Sequence, residues 1–178
     1  MTPETPANDP AIRAQTPYDF LTRLVREVGE TLRADRCFLY VRKPDQGVGR
    51  IAFCWRRDES IPDPTHDWQA DTTELPAEDP LFRAALATRP SIYVEDVETA
   101  PADVLNRDFE HKTFGHRALV HAHITENGQL WGILQPCHFD RPRAWSADDR
   151  AFLEGLLPGV APIIRAYTGP ITVPPDVA

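Results

Sequence analysis

Three cysteines in 178 residues, Cys37, Cys54 and Cys137, are too few and too widely spaced for a disulfide framework. Without a Cys-x-x-Cys pair they also offer no half of a structural zinc site. No run of about 18 apolar residues is present to span a bilayer. The opening MTPETPANDP lacks the basic-then-apolar pattern of a secretory signal, so a cytoplasmic location is expected. Positive charge is scarce as well: 19 Lys and Arg against 27 Asp and Glu leave a net charge of −8. The field of such a molecule repels phosphate backbones and anionic lipid heads, which argues against nucleic-acid and membrane partners. The nine glycines form neither G-x-G-x-x-G nor G-x-x-x-x-G-K, so nothing cradles a nucleotide phosphate.

What is present is enough for one domain with a sizeable core, with 42% hydrophobic residues. Many of the 18 prolines fall in an N-terminal arm (1–16), a C-terminal tail (169–178) and the loop DESIPDPTHDWQADTTELP, all read as irregular. Between the arms, over 17–168, the chain is legible. Thr16-Pro17-Tyr18-Asp19 opens a helix, with a capping hydroxyl, a proline at the first helical position and an acid in the first turn. Phe20, Leu21, Leu24, Val25, Val28 and Leu32 then recur at three- and four-residue spacing over about four turns. RCFLYVRK and RIAFCWRR flank PDQGVG as an antiparallel hairpin. AEDPLFRAALAT reads as helix, SIYVEDV as strand, and PADVLNRDFEHKTFG as helix or compact loop. RALVHAHIT and QLWGILQPC flank Asn127-Gly128, the strongest short hairpin signal. Ser146-Ala147-Asp148-Asp149 opens a last helix as a capping-box variant, and Pro158 and Pro162 predict a break near Gly159. The fold class is therefore α+β, an antiparallel sheet of five to six strands with terminal helices on one face and the middle segments over the other.

These residues resemble the GAF domain family of small-molecule and light sensors, from about Tyr18 to Tyr167. The resemblance is nearest to the bilin-binding phytochrome and cyanobacteriochrome branch. There the last hairpin reads apolar strand, turn, Leu-Trp-Gly and apolar run, followed by a Pro-Arg-x-Trp loop. Here RALVHAHITENGQLWGIL and Pro142-Arg143-Ala144-Trp145 stand in those places. The anchors of that branch are missing. The position of its Cys-His pair, counted from Asp96, falls on Leu105 or Asn106, and its Asp-x-Cys-Phe motif reads Asp79-Pro80-Leu81-Phe82. No cysteine precedes Cys37, and Asp35-Arg36-Cys37-Phe38 spells the motif only in the first strand. The signature of the cyclic-nucleotide branch is absent, and so are the middle-segment cysteines of members that reduce methionine sulfoxide.

The resemblance implies a pocket between the sheet and the segment from Asp79 to Phe114, with Asp79, Leu81, Phe82, Tyr93, Asn106, Phe109 and Phe114 as its cover. If Asn127-Gly128 is a simple two-residue turn, Ala122, Ile124, Trp131, Ile133, Gln135 and Cys137 share one face of the hairpin as its wall. One amide and one thiol on an apolar wall suit either a small-molecule pocket or a filled core. His121 and His123 would face the other way, opposite Leu134 and Gly132, with no further ligand to complete a metal site. Cys137 and His138 are neighbours in a strand and point to opposite faces, so no catalytic couple forms and no catalytic residue is assigned. The expected function is a sensor or regulatory module, not an enzyme, binding a small molecule or a partner protein without covalent bilin. The alternatives are a ligand-free adaptor or a noncovalent tetrapyrrole or haem binder. The resemblance further implies a homodimer through residues 17–33 and 146–167. Pro158, Pro162 and Gly169-Pro170 interrupt any continuous output helix, so a signal is expected to pass to a separate partner protein.

Overall fold

The computed structural model describes residues 15–169. Most of the N-terminal arm and the C-terminal tail expected from sequence therefore lies outside the described residues. Helix α1 (Pro17–Thr31) begins as predicted, with the Thr16 hydroxyl accepting from the Asp19 amide at 3.1 Å. Strands β1 (Arg36–Lys43) and β2 (Val48–Arg56) form the first hairpin. A two-residue edge strand, β3 (Gln69–Ala70), was not expected inside the proline-rich loop. The cover consists of three short helices, α2 (Leu75–Glu78), α3 (Pro80–Leu86) and α4 (Arg107–Thr113), around strand β4 (Ile92–Val94). Strands β5 (Ala118–Glu126) and β6 (Gln129–His138) form the last hairpin, followed by α5 (Ala147–Leu156) and α6 (Ala161–Thr168). A 3-10 turn at Leu157–Gly159 separates these two helices, where Pro158 forbids regular α geometry. Ser146 and Asp149 complete the capping box reciprocally.

All pairings are antiparallel, in the order β3-β2-β1-β6-β5-β4. The central strands are buried on both faces. The main core joins α1, α5 and α6 to one face through Leu24, Val28, Leu39, Leu134, Leu153 and Ile164. On the other face, Phe82, Ala85, Leu130 and Ile133 form one apolar cluster, and Leu81, Val94, Leu105, Leu119 and Cys137 form a second.

The two motifs behind the family resemblance are structural here. A Cβ at Gly132 would lie 2.7 Å from the Tyr40 carbonyl oxygen and 2.8 Å from Ile164 Cδ1, so the glycine of Leu-Trp-Gly lets α6 close on the sheet. The Pro-Arg-x-Trp loop is a clasp. Arg143 donates to the Leu32 carbonyl at the end of α1 and to Asp149 of α5, and its backbone amide reaches the Glu95 carbonyl. The buried Trp145 indole donates to the Val94 carbonyl at 3.1 Å.

Because the nearest atom at Gly132 is backbone, Gly132→Ala has no inexpensive relief. A loss of about 1–3 kcal/mol is expected from overpacking. Urea denaturation, with the m-value unchanged, measures it.

Candidate functional site

The register of the last hairpin decides which side chains can meet a ligand. Glu126 pairs with Gln129 and Thr125 with Leu130 around the Asn127-Gly128 turn, but Ile124 pairs with Gly132. Trp131 is thus an extra residue, a β-bulge that leaves it without a partner. Beyond the bulge every residue of β6 faces the side opposite to that expected from a regular ladder. Ala122 and Ile124 belong to the helix-side core, and Trp131 packs against it. Those three expected wall residues are therefore corrected to the far side of the sheet from Ile133 and Gln135. His121 moves the other way and joins the pocket wall.

Ile133, Gln135 and His121 line a cavity of about 220 Å³ between the sheet and the cover. Five aromatic rings surround it: Phe38 and Tyr40 from β1, Phe82 from α3, and Phe109 and Phe114 from α4 and its C-terminal end. Asp79, Leu81 and Glu110 complete the inner part, and Asp71, His66 and Thr113 contribute toward the rim. Of the residues expected from sequence, Asp79, Leu81, Phe82, Phe109, Phe114, Ile133 and Gln135 line this cavity. Three others do not. Tyr93 alternates away from the cover-side residues Ile92 and Val94, packs on the helix-side core, and donates to Glu154 of α5 at 2.9 Å. Asn106 caps α4 through the Phe109 amide and donates to the Glu78 carbonyl, which ties the two ends of the cover together. Cys137 lies in the cover-side cluster with Leu81 and Leu105, and its thiol faces the Arg36 carbonyl at 3.5 Å. No cysteine lines the cavity.

The polar groups on this wall are buried and connected. His123 Nδ1 lies 2.7 Å from the Arg89 carbonyl, an acceptor, so it carries a proton. Its Nε2 is then a lone pair that accepts from His121 Nδ1 at 2.8 Å. This fixes His121 as the Nδ1–H tautomer and leaves its Nε2 as an acceptor with no protein partner among the described residues. Burial, and then the neighbouring imidazole, holds His121 well below the usual histidine range; burial lowers His123 as well. The pair is neutral at pH 7. Further along the wall, Arg36 Nη2 donates to His116 Nε2 at 2.8 Å, while His116 Nδ1 lies 2.6 Å from Glu110 Oε1. Burial opposes a charge on this ring and Cys137 and Glu110 favour one. A guanidinium donor at Nε2 needs a lone pair there, and that contact selects the neutral Nδ1–H form. The His116 Nδ1–H then faces Glu110 Oε1 at 2.6 Å, so the ring links this buried carboxylate to the Arg36 guanidinium.

The couple Cys137-His138 diverges, as strand alternation requires. His138 is 3.8 Å from Asp35 and stacks near Trp145, on the helix side. Burial pushes the Cys54 thiol up to about 12 and raises Cys37 as well, so neither supplies a thiolate at neutral pH.

Residues 17–158 match the family profile of the GAF domain. The chain belongs to the GAF domain family. The GAF fold recurs in solved structures of low sequence identity. A phycoerythrobilin-bound GAF domain from a cyanobacterial phytochrome is 20% identical, with a TM-score of 0.67 over 84% of this chain and 86% of that one. A Synechocystis GAF domain in its photoproduct state is 22% identical, with a TM-score of 0.65 over 85% and 96%. The GAF domain of an Acinetobacter phosphoenolpyruvate-protein phosphotransferase is 13% identical, with a TM-score of 0.62 over 85% and 84%. No curated protein matches. No helix among the described residues is long and apolar enough to cross a membrane. The GAF cavity described above was only half legible in advance. His121, Tyr40 and Phe38 carried a signal in their strand positions, but their faces could not be set without the bulge.

Asp79 caps α3 by accepting from the Leu81 amide at 3.0 Å and has no cationic partner. Burial, reinforced by Glu110, pushes its carboxyl up to about 6. A raised carboxyl binds its proton more tightly when folded, so its contribution to stability is full at low pH and is lost as pH rises from about 4 to 6. Asp79→Asn, which can still cap, is expected to be about 1–3 kcal/mol more stable than the parent at pH 7 and equal to it near pH 3.5. Paired urea melts across that window check the crossover.

Proposed function

We propose that this GAF domain is a sensory module that admits a small molecule into the cavity between sheet and cover, without covalent bilin and without turnover. The observation that carries the reading is the cavity itself: aromatic walls with a few convergent polar groups, among them Asp79, Glu110, His121 and Gln135. An apolar, aromatic concavity with a few placed polar groups is the usual make-up of a small-molecule site. A cavity of about 150 Å³ accommodates benzene, so about 220 Å³ suits a ligand of roughly ten non-hydrogen atoms. A tetrapyrrole is several times larger, and the lining offers no thiol to anchor one.

Binding would order the cover, whose three short helices are held by few side-chain bridges such as Asn106 to Glu78. Tyr93 and the Trp145 clasp connect the cover strand β4 to α5, so a shift there reaches the terminal helices and a separate partner protein. Pairing of two copies through those helices would use Tyr18, exposed among the described residues, with the partly buried Phe152, Leu156 and Ile163.

A fractionated metabolite extract should contain a component that raises Tm by about 5–10 °C at a hundredfold excess over Kd. Thr113→Trp, placed at the cavity rim, should abolish that shift while the unliganded Tm changes little. A melt that no fraction moves would favour the adaptor alternative. Biliverdin or haem supplied during expression should leave the purified protein colourless.

A further inference from the structure

We propose that the cavity selects small organic cations rich in N–H donors, an ammonium or amidinium on an aromatic or aliphatic frame, and rejects anions. The proposal rests on the cavity being a ligand site and specifies what it takes. No lysine or arginine is among the lining residues, so an anionic ligand would lose its hydration with nothing to replace it. Carboxylates are there instead. Asp71 is neutralised by Arg42, which contacts it through both Nε and Nη2. Glu110 is linked to Arg36 through His116. Asp79 has no such partner, and Arg83 next to it donates to the Pro76 carbonyl instead. One carboxylate of the inner wall is thus uncompensated.

Two buried acceptors of the wall have the same sense. The His121 tautomer set by Arg89 and His123 presents a lone pair, and the residue is 4% exposed. Glu110, 3% exposed, is a carboxylate with lone pairs beyond the one that faces His116. Buried acceptors without donors carry a desolvation cost that a ligand bearing N–H groups removes. Phe38, Tyr40, Phe82, Phe109 and Phe114 add ring faces, whose quadrupoles attract a positive charge and repel a negative one. A cation of about ten non-hydrogen atoms satisfies the volume, the acceptors and the charge together.

Three near-isosteric probes separate the terms: 2-phenylethylamine, 2-phenylethanol and phenylacetate, titrated at pH 7.5 by calorimetry and by melting. The amine should bind at least about tenfold more tightly than the alcohol, and phenylacetate should give no shift. Asp79→Asn should weaken the amine about tenfold while leaving the alcohol within about twofold, a charge-specific effect that a folding defect would not produce. Equal binding of amine and alcohol, tighter binding of phenylacetate, or an amine affinity unchanged in Asp79→Asn would overturn the proposal. If none of the three binds while a metabolite fraction still shifts the melt, the cation preference fails and the sensory reading stands. If nothing of any charge shifts the melt, both fail.

Discussion

One extra residue in β6 determines what the cavity is made of. Without the bulge at Trp131, the side chains of β6 beyond it would exchange faces: Ile133, Gln135 and Cys137 would join the helix-side core, and Leu134 would face the cover. With it, Trp131 and Gly132 both serve the helix side, where Ile164 closes on the glycine. A bulge also bends and twists its strand. It lies beside a glycine that has no Cβ to obstruct α6, so the distortion needed to set the register and the close approach needed to seat the terminal helix fall at the same place. The sheet then presents a continuous apolar face to the helices and a mixed face, with Gln135 and His121, to the cover.

A mixed face under a cover is expensive unless its polar groups find partners, because desolvation is not returned by packing. Most of these groups are served in chains. Arg89 fixes His123, which fixes His121; Pro62 and His116 share the Arg36 guanidinium. The first chain ends at the cavity in a free imidazole lone pair, the second in the Glu110 carboxylate. Two independent chains ending in the same kind of group, beside a carboxylate with no cation, make the inner wall electrostatically one-sided. Protonating the wall offers little relief, since His121 is held neutral by burial and by a second imidazole. A structure selected only for stability would do better with Leu or Phe at such positions.

The elements were read from sequence with few errors because their signals are local: a capping threonine, a capping box, Asn-Gly, a proline in the last helix. Faces were read less well because they depend on register, and register depends on a bulge that has no sharp local signature. Trp131 is β-prone and apolar, and nothing in LWGIL marks which residue is unpaired. A regular ladder would put Ala122 and Ile124 in the pocket and His121 outside it, and the bulge reverses this. Tyr93 and Asn106 were misplaced for a different reason. Both lie in the cover, where strand β4 has three residues and α4 two turns, too short for periodicity to assign a face. Asn106 was visible as a capping residue, and capping is the role it plays.

The residues that carry the family resemblance are scaffold residues. Gly132 admits α6, and Arg143 and Trp145 fasten α1, β4 and α5 to one another. Their demands are geometric and do not depend on what is bound, so the motifs can persist while the cavity changes. The lining has a leucine at position 81 and neither a thiol nor a cation, around a volume of about 220 Å³. Five rings, the Asp79 carboxylate without a cation and the His121 lone pair together form the surface that the proposed cation would meet.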